Sequence, residues 1–282
     1  MDRGNIMNVV EAWLKDLWGA LKEEPIAVSD IRIGVFYTAA QLATGYVGVA
    51  FTPRDLADTV CCPRSAAAAP PAGQMAGQDA WSLARYALSR VPLRRAVGVA
   101  VLNALSALAL ARHYLPGGQV LPGADALDVT GIVAEDRVAM VGAFVPFIKA
   151  LKGQVADLCI VDKHRLALKA DEIELWQPPA QATAVLARAS VAIISGSALV
   201  EGGLDELLEA AGKCRKVVLA GPTASAWPPT FFARGVHVLG GIRVLNGHKM
   251  LQLVSEGGSG YFFTGAAEKI CAIRESDFES SR

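Results

Sequence analysis

Neither sign of charge dominates this chain. Its 282 residues carry 27 Lys plus Arg against 27 Asp plus Glu, so no global field draws in nucleic acid or an acidic membrane surface. Cysteine is scarce: there are five, an odd number, and only Cys61 and Cys62 lie close together. Adjacent cysteines rarely pair, because their Cα atoms are only about 3.8 Å apart. A disulfide framework is therefore excluded, and a reducing, cytoplasmic setting is expected. No C-x-x-C or H-x-x-x-H spacing occurs, which argues against a structural zinc site. No apolar run reaches the roughly 20 residues of a membrane span. The longest, 96–111, contains Asn103 and Ser106 and is flanked by Arg95 and Arg112, so it reads as a buried core helix. Nor is a secretory leader expected, since Val9, Trp13, Leu17 and Leu21 follow a helical period with charges between them.

What is present is a large apolar fraction, 52%, with 19% charged residues. That suffices for an extensive core and is far from the composition of disordered chains. The first 120 residues and the remainder read differently. After the amino-terminal helix, 31–37 and 46–52 are rich in β-branched and aromatic residues and are expected to form an antiparallel pair. A loop with Cys61, Cys62, an alanine run and Pro70-Pro71 follows. Two helices come next, one starting near Asp79 and one opened by Pro92 at a favourable first-turn position. The Pro/Gly-rich stretch 116–123 marks the expected boundary between units 1–120 and 121–282.

From about residue 130 the pattern becomes strand, loop, helix, repeated. Strands are expected at 137–141, 157–161, 191–194, 216–220 and 236–239. Helices are expected at 145–151, 180–189, 204–211, 229–233 and 247–256. Continuous apolar strands are the mark of a parallel sheet buried on both faces. The fold class is thus α/β, with an α+β first unit and a doubly wound parallel sheet in the second unit.

In such a sheet ligands bind beyond the carboxyl ends of the strands. The loops there are Gly142-Ala143-Phe144, Asp162-Lys163-His164-Arg165, Ser195-Gly196-Ser197 through Glu201 to Gly203, Gly221-Pro222-Thr223, and Gly240-Gly241-Ile242-Arg243. The first holds one glycine, then Phe144 and Pro146, so G-x-G-x-x-G is absent and NAD is not expected. Asp162 stands where a ribose-binding acid would, but a solvated strand-end carboxylate explains it better. There is no P-loop and no G-x-S-x-G. Cys159 reads as a core residue, and Cys214 and Cys271 as structural. Cys61 and Cys62, two neighbouring loop thiols, suit a soft metal. His164 is the histidine best placed as a ligand or acid/base. Glu201 lies in the glycine-rich third loop. Glu256 accepts the unfavourable end of a helix dipole. Asn103 either locks the interior or points into a cleft.

The runs Val141-Gly142-Ala143-Phe144-Val145-Pro146, Ile194 through Gly202, Gly221-Pro222-Thr223-Ala224, Gly241-Ile242-Arg243-Val244 and Ser255-Glu256-Gly257-Gly258 resemble the heavy-metal-chelation family. So do Gly48-Val49-Ala50-Phe51-Thr52, Cys62, and 96–105 in the first unit. The alanine run and paired prolines after Cys62 depart from the family's pattern. The resemblance implies an enolase N-terminal-like first unit, a Rossmann-like second unit and a ligand cleft between them. It adds that Asn103 and the Cys61–Cys62 loop face that cleft. The expected role is cytosolic handling of a heavy or transition metal, or of a metal-bearing small molecule. Its binding cleft is assigned to Asn103, Gly142, Phe144, Ser195, Gly196, Ser197, Glu201, Gly221, Thr223, Arg243 and Glu256. A soft-metal site is assigned to Cys61, Cys62 and His164, completed by Glu201 and coupled to closure of the two units. The alternative is an enzyme acting on a small anionic metabolite, with Arg243 and His164 doing polar work. A third reading is an interaction protein whose cleft is only an interface. Neither nucleic acid nor a membrane is an expected partner, and self-association is left open.

Overall fold

The computed structural model of the chain describes residues 7–22, 24–54 and 68–278. The elements run in the order α1 (Val9–Ala20), β1 (Val28–Ile33), β2 (Tyr37–Leu42), β3 (Val47–Phe51), α2 (Ala80–Ala84), α3 (Pro92–Arg112), β4 (Gly118–Pro122), α4 (Ala126–Thr130), β5 (Arg137–Val141), α5 (Val145–Leu151), β6 (Asp157–Val161), β7 (Trp176–Gln177), α6 (Ala182–Leu186), β8 (Val191–Ser195), α7 (Ala198–Glu201), α8 (Leu204–Ala210), β9 (Lys216–Ala220), α9 (Pro228–Phe232), β10 (Val238–Val244), α10 (Gly247–Ser255), β11 (Ala267–Arg274) and α11 (Glu275–Phe278).

β1, β2 and β3 form an antiparallel sheet in that order. The expected pairing of 31–37 with 46–52 is corrected: β2 lies between the two outer strands and pairs with both. Its sequence, Tyr-Thr-Ala-Ala-Gln-Leu, is poor in β-branched residues, and strand propensity is weak evidence where packing decides. Packing decides here because both faces of the sheet are covered. Ala40, Leu42 and Ala50 join the core around α3, while Ala39, Val47 and Val49 meet Met250, Leu251 and Val254 of α10. Small side chains allow the close approach. A Cβ at Gly48 would fall 2.2 Å from the Ala104 backbone nitrogen of α3. α3 itself is long and apolar enough to cross a membrane, yet most of it is buried within the molecule. It is the core helix expected from its polar interruptions.

The second sheet has eight strands in the order β4-β11-β10-β9-β8-β5-β6-β7. From β7 to β10 the pairings are all parallel. From β5 the chain steps outward through β6 and β7, then returns to β8 on the other side of β5 and proceeds through β9 and β10. This is the strand order of a Rossmann fold. β11 and then β4, the edge strand, extend it with antiparallel pairings, which the sequence reading missed. Alternation along the buried strands divides the apolar residues between two cores. Val191 and Ile193 of β8 face the layer containing Phe147, Ile148 and Leu151 of α5. Ala192 and Ile194 face the core that holds α3, α1, α6 and α8.

That second core is continuous from one sheet to the other. α1 shows why. Asn8 caps it in a capping box with Glu11, and its apolar stripe buries Val9, Trp13 and Leu17. Trp13 packs edge-on against Phe231 of α9, and its indole N–H donates to Ser106 Oγ of α3 at 3.0 Å. The Thr230 hydroxyl donates to Asp16 at 2.6 Å, and the Val9 N–H donates to Asp205 of α8 at 2.9 Å. The amino-terminal helix therefore ties the first sheet's core helix to the large sheet.

Candidate functional site

In a doubly wound sheet the crevice opens where the strand order reverses, beyond the carboxyl ends of the flanking strands. Here that point lies between β5 and β8. A cavity of about 810 Å³ occupies it, within the range of small-molecule sites. The loops after β5, β6 and β8 form its floor and one side. Phe51, Pro53, Arg54, Pro92 and Arg95, from the end of β3 and the start of α3, form the opposite wall.

Sequence fixes the floor through close approach. Gly142 adopts φ +95°, a left-handed conformation, and a Cβ there would lie 2.8 Å from Ser195 Cβ. Only glycine combines that backbone with that contact. Gly196 packs similarly on the next loop, where a Cβ would lie 2.7 Å from the Ala224 nitrogen. These glycines let neighbouring strand-end loops touch one another.

Asp162 Oδ2 accepts from the Ala143 N–H and Oδ1 from the His164 N–H, each at 2.8 Å. Both oxygens are thus engaged in joining the β5 and β6 loops. The acid at the ribose position of a Rossmann sheet here serves loop geometry.

Among the described residues, three cations line the cavity, Arg54, Arg95 and Lys163, together with the acids Asp162, Glu201 and Glu206. Lys163 donates to Glu201 Oε1 of α7 at 2.6 Å. Arg95 Nη2 donates to the Glu201 backbone oxygen at 3.0 Å, while its Nε is buried with no hydrogen-bond partner among the described residues. Burial lowers the pKa of Arg95, and only the charge of Glu201 works the other way. Since that carboxylate is bonded to Lys163, the guanidinium is a partly desolvated cation held by a neutral carbonyl.

Of the residues assigned from sequence, Gly142, Phe144, Ser195, Ser197, Glu201 and His164 line this cavity. Six of the others stand elsewhere. Asn103 is buried, and its amide donates to the Val49 oxygen at 2.7 Å and the Thr223 oxygen at 3.0 Å. Of its two open readings, the structure selects the interior lock, fastening β3 to the loop after β9. Thr223 is buried beside it and accepts from the Phe51 N–H at 2.9 Å. Gly196 is buried between loops, and Gly221 packs towards the Phe144 ring. Arg243 is exposed and paired with Glu268, because β10 runs on past the crevice to meet β11. Glu256 is an exposed helix end that accepts from Gln252 at 2.9 Å. Cys61 and Cys62 lie outside the described residues.

The sequence reading passed over Arg54 and Arg95. A signal for Arg95 was available. Arg94 and Arg95 stand in the first turn of α3, where the helix dipole disfavours cations, and a partner in a cleft offsets such a cost.

The donor set tests the fit to a metal. Among the described residues, no three His, Cys, Asp or Glu side chains gather into a group able to hold an ion. The thiols of Cys159, Cys214 and Cys271 are raised in pKa, chiefly by burial, and none lines the cavity. His164 is exposed, and the carboxylates beside it are already bonded. The described residues by themselves do not fit a resident metal ion.

Two family models match the chain, both described as "putative heavy-metal chelation": DUF364 over residues 125–273 and DUF4213 over residues 17–106. The first covers more than half of the sequence. The chain belongs to the DUF364 family. A DUF364 protein of unknown function from Pyrococcus horikoshii superposes with a TM-score of 0.73 at 20% identity, covering 94% of this chain and 99% of that one. Another, from Desulfitobacterium hafniense, gives 0.72 at 17% identity, over 93% and 99%. At these identities the likeness shows the family's α/β fold. An uncharacterised protein of Methanocaldococcus jannaschii is 25% identical over 180 residues, spanning 63% of this chain and 65% of the length of that relative. The family's description suggests metal chelation and identifies no metal.

Proposed function

We propose that the protein binds a small anionic molecule in the switch-point cleft between its two units. A heavy metal handled there arrives as a complex with that anion and is held through the anion's oxygens. The observation that carries this reading is Arg95, partly desolvated and, among the described residues, without a carboxylate of its own, sharing a cavity with Arg54 and Lys163. Desolvated cations favour an anionic partner. The remaining wall, with Phe51, Phe144, Pro92 and Leu207, supplies apolar contact for the rest of the ligand. A cytoplasmic setting belongs to the same proposal and is supported by the free state of Cys159, Cys214 and Cys271.

The test is calorimetric titration of the untagged protein with citrate, with cadmium ion, and with cadmium citrate. Citrate or its complex should bind saturably, and Arg95→Gln should weaken it about tenfold, the loss of one charge-assisted contact. Binding of bare cadmium with citrate silent would overturn the reading. If a Cys61→Ser/Cys62→Ser variant then lost that binding, the soft-metal site expected from sequence would take its place. Elemental analysis of the protein as purified identifies any metal retained.

A further inference from the structure

Of the three acids that line the cleft among the described residues, Asp162, Glu201 and Glu206, Glu201 is the one bonded to its cations. Its carboxylate bonds Lys163 of the β6 loop at 2.6 Å, and its backbone carbonyl holds Arg95 of α3 at 3.0 Å. The same residue therefore contacts two of the three cations through two different groups. The glycine that follows is part of the arrangement. Gly202 adopts φ +91°, and a Cβ there would come within 3.2 Å of Arg95 Nη1. The pair is also accessible, with Lys163 about half exposed and Glu201 30% exposed. An ion pair so open to water is weakly held, so its partners exchange readily.

We infer that Glu201 is an internal counter-ion: its carboxylate occupies Lys163 until an anionic ligand displaces it, and it thereby selects against weakly charged ligands. The inference rests on the anion-binding reading of the same cleft. An incoming anion must compete with a carboxylate already in place and then share the cavity with it. A monoanion gains little from that exchange. A ligand carrying two or more negative charges reaches Arg95 and Arg54 as well, and gains more than Lys163 gives up. The Glu201 carbonyl, which holds Arg95, is independent of the side chain, so replacing the carboxylate leaves that contact intact.

Glu201→Gln removes the charge at nearly constant volume. The expected result is the reverse of what loss of a ligand-binding residue gives. Pyrophosphate should bind Glu201→Gln about three- to tenfold tighter than the parent at low salt, and acetate, silent with the parent, should become detectable. Lys163→Gln should weaken pyrophosphate binding. In Lys163→Gln/Glu201→Gln the gain from the second change should shrink, because the two residues act as a pair. Thermal melts confirm folding, and Glu201→Ser provides a second charge-free variant. Saturable pyrophosphate binding by the parent with equal or weaker binding by both Glu201 variants overturns the counter-ion role and leaves the anion site standing. Absence of saturable binding by parent and variants alike overturns the anion-binding reading, and this inference with it.

Discussion

Asp136 lies just before β5, at the sheet edge opposite the cleft, and is 3% exposed. It accepts from the Val133 N–H at 2.8 Å, from Ser190 Oγ at 2.7 Å, from Arg215 Nε at 2.9 Å and from Arg215 Nη2. Burial opposes its ionisation, but these hydrogen bonds and the charge of Arg215 outweigh it and hold the carboxyl below its usual range. A carboxyl with a depressed folded pKa contributes stability above its unfolded pKa of roughly 3.9, and loses it as pH falls through the folded value. Asp136→Asn should therefore cost about 1–3 kcal/mol at pH 7. Below about pH 4 the parent should lose stability more steeply than the variant. Urea unfolding across this range measures both, and equal slopes would remove Asp136 from the acid response. Cys271 offers a second test. Burial, with the charge of Asp125 adding to it, pushes its thiol up to about 12. Iodoacetamide at pH 8 should leave Cys271 unmodified in the native protein and label it fully in urea, as read by peptide mass spectrometry. Native labelling would mean that the strand carrying it opens readily.

Among the elements, α1 holds disproportionate weight. Trp13 reaches both Phe231 and Ser106, and it is fully buried. Trp13→Ala removes a large apolar volume and leaves the Ser106 hydroxyl with one partner fewer. The expected cost is about 3–5 kcal/mol. Trp13→Phe, which keeps most of the volume and loses the N–H donor, should cost about 1–2 kcal/mol. Chemical denaturation of the two variants separates packing from hydrogen bonding, and equal losses would contradict the contacts described. On the cleft floor, Gly142→Ala introduces both a disfavoured backbone conformation and a contact with Ser195. It should destabilise the protein by about 1–3 kcal/mol and weaken citrate binding, because the β5 and β8 loops must separate.

On the scale of the whole molecule, the described residues form one continuous core from α3 through α1 to α8 and β8, so parting the two units would expose apolar surface. The Thr230–Asp16 and Val9–Asp205 hydrogen bonds add polar ties from one unit to the other. The coupling of binding to closure of the units, expected from sequence, thus gives way to a prediction of a preformed cleft. Far-UV circular dichroism and tryptophan fluorescence should report one coincident thermal transition. Small-angle scattering should show no change in radius of gyration on citrate binding. Two separated transitions, or a clear contraction, would indicate units that move independently.

The sequence by itself determined the α/β class, the positions of the parallel strands β5, β6, β8 and β9, and the sheet edge at which a site must open. Continuous apolar runs such as Val191–Ser195 and Lys216–Ala220 can be satisfied only between two buried layers. Glycines at the strand ends mark where loops crowd. Short local patterns suffice for these features, since periodicity and turn chemistry act over a few residues. Tertiary structure alone decided β2, whose alanines are strand-forming only because α3 and α10 cover both faces. It also placed the antiparallel β11 and β4, whose neighbours lie far away in the chain. The site divides in the same way. Gly142, Ser195, Ser197, Glu201 and His164 were legible because strand order sends their loops to one crevice. Arg95 was not, because the Glu201 that holds it lies 106 positions away. Local sequence records that a cation stands in the first turn of a helix, but only the packing of that helix against a distant loop makes it part of a binding cleft.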